Sequence, residues 1–104
     1  MALDENTGSI ISKTRAKDLI KAFEAKFPNE IIGSFIGSNH INAVLAQKDC
    51  IGLRIYNGYD DKAGKISLII VGVDKDEKEI LDPGMIYDEM ATCPTNCSTN
   101  GLYL

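Results

Sequence analysis

A chain of 104 residues, 44% hydrophobic and 25% charged, has the balance of a globular domain and excludes wholesale disorder. Its net charge of -4 argues against nucleic acid as a partner, because phosphate contacts need clustered Lys and Arg. Three cysteines cannot all pair within one chain, so reduced thiols are the expectation.

Met1-Ala2-Leu3 runs directly into Asp4 and Glu5, with no basic region and no apolar leader, and no apolar run reaches the length of a membrane span. The chain reads as one cytoplasmic domain over 1–104, with a polar and mobile start over 1–9. Ser12 is a fair N-cap. Behind it Ala16, Leu19, Ile20, Phe23 and Phe27 follow three-and-four spacing, which predicts an amphipathic helix over 13–27 that Pro28 ends. Ile31 to Ile36 is a short apolar run, either a strand or a buried connector. Ser38 or Asn39 then caps a second helix over 39–47, with Ile41, Val44 and Leu45 on its buried side.

The next stretch organises the rest. Ile51, Leu53, Ile55 and Tyr59 alternate along a first strand over 51–59, and 60–64 is a polar loop ending in Gly64. The second strand, 65–73, is apolar on both faces, with Ile66, Leu68 and Ile70 on one and Ile69, Val71 and Val73 on the other. That is the pattern of a central strand. A charged turn over 74–78 leads to a short edge strand over 79–81, and Asp82-Pro83-Gly84 makes a further turn. The fold class is therefore α+β, a small antiparallel sheet packed by two helices. Leu19, Phe23, Leu53, Ile55, Leu68 and Ile70 are expected to share its core. The tail, 92–104, is rich in Thr, Ser and Asn and is expected to be irregular but docked by Leu102, Tyr103 and Leu104, either across its own sheet or onto a partner.

Chemistry has few places to reside. Cys93 and Cys97 stand four apart, within zinc-ligand spacing, and Cys50 with His40 would complete a Cys3His set if the tail folds back. The same pair could instead form a small disulfide loop, although CxxxC is not the CxxC redox motif. The simpler reading makes both cysteines small packing residues, with no cofactor. A Cys50–His40 dyad and an anion site at Gly37-Ser38-Asn39 are the remaining catalytic and ligand options, against inert packing and plain capping. Asp74-x-Asp76 resembles the start of a calcium loop, but Lys78 and Glu79 stand where an oxygen ligand and the turn Gly belong.

Without a convincing catalytic cluster, the preferred reading is a non-enzymatic binding or accessory protein with a protein partner or a second copy of itself. Ile69, Val71 and Val73, with Leu102, Tyr103 and Leu104, are its expected contact residues. The rival is a zinc- or thiol-dependent regulator or small enzyme built on Cys93, Cys97, Cys50 and His40.

Overall fold

A computed structural model describes residues 2–102. The class is α+β: two helices with two small antiparallel sheets, the larger being the hairpin. Contacts divide the chain into two compact units. One holds Ile36–Met90 with the described residues up to Thr7; the other holds Gly8–Phe35 with the described residues from Ala91 on.

The second unit contains α1 (Lys13–Lys26), β1 (Gly33–Phe35) and β4 (Ala91–Cys93). Ser12 caps α1, its Oγ accepting from the Arg15 amide at 3.0 Å, so the first turn's free donors are partly satisfied. Phe27 leaves helical geometry at φ -132°, as the Pro that follows it requires, and its ring meets Phe23 at 5.1 Å. The tail is not wholly irregular. Ala91, Thr92 and Cys93 pair with Phe35, Ser34 and Gly33, which also settles the 31–36 run as a strand.

The first unit contains α2 (Ser38–Leu45), β2 (Cys50–Asp60) and β3 (Lys65–Asp74). Asp60 Oδ1 accepts from the amides of Lys62 and Ala63, and Gly64 takes φ +66°, so a four-residue loop closes the hairpin. β3 is bonded on both sides. β2 lies along one edge; on the other, Ile70 exchanges both backbone bonds with Tyr87 at 2.9 and 3.0 Å, and Gly72 O accepts from Ile80. The edge strand expected over 79–81 is thus reduced to a bridge between Val73 and Glu79, because Ile80 makes its one ladder bond just before the Asp82-Pro83-Gly84 turn.

Register assigns the faces. Leu53 stands opposite Gly72 and Ile55 opposite Ile70, while Arg54 stands opposite Val71 and Tyr56 opposite Ile69. α2 covers the first face at Gly72. A Cβ there would lie 3.0 Å from Gln47 Oε1, 3.1 Å from Val44 Cγ1 and 3.2 Å from Cys50 Sγ, so the residue's lack of a side chain sets how closely helix and strand approach.

The core is smaller than the pattern predicts. Among the described residues the buried hydrophobics are Val44, Ile70, Val71 and Val73, all in the hairpin unit. Leu19 and Ile55, expected inside, are 46% and 57% exposed. Leu19 belongs to a helix none of whose residues is buried, and Ile55 lies beyond the reach of an eight-residue α2.

With so small a core, one truncation is expected to weigh heavily. Ile70→Ala should cost about 2–5 kcal/mol in a urea melt. Gly72→Ala should cost about 1–3 kcal/mol by overpacking against Val44. Wild-type melts for both would refute this assignment of the core.

Candidate functional site

A connected group of three polar side chains lies on the hairpin face that carries Val71. Arg54 and Tyr56, two apart on β2, point to the same side, as period-two alternation requires. Glu79 joins them from the far edge of β3: Arg54 Nη1 lies 3.3 Å from its Oε2, and the Tyr56 hydroxyl donates to the same oxygen. A carboxylate starting beyond one edge of β3 and ending on β2 must cross the face between them. That crossing accounts for the burial of Val71, 2% exposed.

The electrostatics follow from the shared oxygen. The hydrogen bond to Glu79 is the main cause that raises the Tyr56 phenol above its usual value of 10.0; desolvation adds to it, and Arg54 opposes it. The Arg54 guanidinium is raised as well, by Tyr56 first and Glu79 second. Ionising the phenol would place an anion against a carboxylate. Arg54, Tyr56 and Glu79 hold one another in place, and the arrangement clamps a face shut.

The cysteines are partly brought together. Cys93 and Cys97 form a disulfide with Cα atoms 4.8 Å apart, inside the range such a bond needs. The reduced state expected from an odd cysteine count is corrected here. A turn after β4, in which the Asn96 amide donates to Thr92 O at 2.8 Å, returns the chain so that the two thiols meet. Cys50 is free, its thiol donating to Gly52 O at 3.3 Å. The His40 ring packs on Tyr87 at 4.7 Å. Cys50 and His40 therefore have other partners, and no dyad forms between them. Among the described residues no group of three His, Cys, Asp or Glu side chains is arranged to hold a metal ion, and Cys93 and Cys97 are engaged with each other. The charged turn after β3 is organised without a metal. Asp74 Oδ1 accepts from the amides of Asp76 and Lys78.

The expected contact residues need correction. Val73 is 4% exposed and Val71 is covered as above, so neither is available to a partner; Ile69 beside them is half-buried. Leu102 is 46% exposed, and Tyr103 and Leu104 lie outside the described residues. The open apolar side chains of the hairpin are on β2 instead: Ile55 at 57%, Tyr56 at 44% and Tyr59 at 61%. Along Ile51–Ile55 runs a groove of about 350 Å³, bounded on its other side by Leu3, Asp4, Glu5 and Thr7.

No family model matches the chain, and neither the curated proteins nor the solved structures hold a match. No helix of the described residues is long and apolar enough to cross a membrane.

Two titrations check these assignments. Thiol counting in denaturant should find one free thiol per chain before reduction and all three after it. In an ultraviolet titration the Tyr56 phenol should ionise above its usual range, and Glu79→Gln should remove the delay. Because the folded-state value is raised, the stabilising bond is intact below the unfolded phenol's value and is lost as pH rises through the folded one. Phenol ionisation indifferent to Glu79→Gln would remove the clamp.

Proposed function

We propose that this chain is a small non-enzymatic binding protein that works by protein–protein contact, with the hairpin as its binding element. One observation carries the reading: Ile55 and Tyr59 share a strand face and are 57% and 61% exposed, beyond the part that α2 covers. Exposed apolar side chains on one strand face are surface that a partner could cover. Tyr also suits the role, offering wide apolar area at small entropic cost. A net charge of -4 favours a protein partner over a nucleic acid.

The test joins dye binding to affinity capture. Wild-type protein should bind a hydrophobic dye and retain a partner, and the double variant Ile55→Ser, Tyr59→Ser should lose both while keeping its circular dichroism. Wild-type protein that does neither sinks the proposal.

The disulfide favours a second reading, a thiol-responsive regulator. Under it, reducing Cys93–Cys97 should change partner retention; retention indifferent to reduction removes it. The cytoplasmic placement is also a proposal, and it stands against this bond, since stable disulfides are rare in that compartment.

A further inference from the structure

The outer edge of β2 carries no further strand among the described residues, although Leu3, Asp4, Glu5 and Thr7 flank its Ile51–Ile55 end. Among the described residues β2 pairs with β3 alone. Hydrogen bonding shows which main-chain groups remain open. Ile70 exchanges its bonds with Tyr87 and Gly72 O accepts from Ile80, so these β3 residues turn their polar groups away from β2. Their neighbours Ile69 and Val71 turn toward it, opposite Tyr56 and Arg54. It follows that Leu53, Ile55, Asn57 and Tyr59 aim their N–H and C=O groups outward. Edge strands are normally blunted by Lys, Pro or a bulge. Residues 51–59 contain neither Lys nor Pro, the one register shift lies at Cys50/Gly52, and Arg54, the sole charge, is tied to Glu79.

Folded back about Ile55, this edge matches its two glycines and its two apolar ends, while Leu53 falls opposite Asn57. In an antiparallel pair of two copies centred there, Ile55 meets Ile55, Gly52 meets Gly58, and Ile51 meets Tyr59. Arg54 falls opposite Tyr56, so no like charges face each other within 51–59. The outward-facing residues land on outward-facing residues, which is what exchange of both bonds requires. We propose that β2 pairs antiparallel with β2 of a second copy about Ile55, joining two hairpins into one continuous sheet.

The proposal deepens the binding reading above and rests on it, by naming a second copy of this chain as the partner. No backbone hydrogen bond among the described residues crosses from Leu3, Asp4, Glu5 or Thr7 to β2, so the groove between them is open to residues 57–59 of the second copy. Just past the strand ends the same register opposes Asp49 to Asp61 and Lys48 to Lys62. These like charges confine pairing to 51–59, and screening them should tighten it.

The experiment is sedimentation equilibrium on the full chain. Wild-type protein should dimerise, more tightly at about 0.15 M salt than at low salt. Ile55→Pro removes an outward N–H without removing a β3 bond, and should weaken the dimer about tenfold or more. Ile55→Lys repeats the test with no proline in the strand, and circular dichroism establishes that either variant is folded. Ile55→Cys in a Cys50→Ser background should give a covalent dimer on mild oxidation, whereas Leu81→Cys should not. A monomeric wild type overturns the pairing, as does a dimer indifferent to both Ile55 variants. A monomer that still captures a partner through Tyr59 overturns the self-pairing alone and leaves the broader reading standing.

Discussion

Both edges of β3 are hydrogen-bonded, and the hairpin unit depends on that. A strand bonded on both sides contributes two sets of ladder bonds and presents two faces that must be closed by different means. One face is closed by apolar contact, where Gly72 lets α2 bring Val44 against the strand. The other is closed by a polar side chain crossing it, Glu79 reaching Arg54 and Tyr56 over Val71. The first is non-directional and tolerant of small shifts. The second is directional and fails if any of its three members moves to the opposite face.

Period-two alternation made β2 and β3 legible from the residues, and the both-faces-apolar pattern of Ile66 to Val73 identified the central strand correctly. Ser12 and Pro28 marked the ends of α1 through chemistry local to the chain. Long-range pairing was not legible. Nothing in Ala91-Thr92-Cys93 announces a strand, because three residues are too few to show a period, and its partner lies over fifty residues earlier. The covering of Val71 was missed for a similar reason. Glu79 reads as one more acid in a charged turn, and only its bridge to Val73 aims it across the sheet.

The site followed the same division. The open apolar side chains of the hairpin lie on β2, where the pattern placed them on β3. Ile69, Val71 and Val73 were expected to be open because a second apolar face lacked a second helix. A clamp of polar side chains supplied the cover instead, and the exposed positions fell to Ile55, Tyr56 and Tyr59. The disulfide was visible only as an option, since spacing alone cannot tell a thiol pair that turns inward from one that does not.

The Glu79 clamp also has a bearing on how the hairpin finds its alignment. A slip of β2 by one residue against β3 would carry every side chain to the other face. Gly58 and Gly52 carry no side chain to discriminate, while Leu53 and Ile55 would leave the Gly72 face. Arg54 and Tyr56 discriminate strongly, because in the slipped alignment both would face α2, with the carboxylate stranded on the opposite side. The three side chains thus add a directional penalty against the slipped pairing to the apolar one.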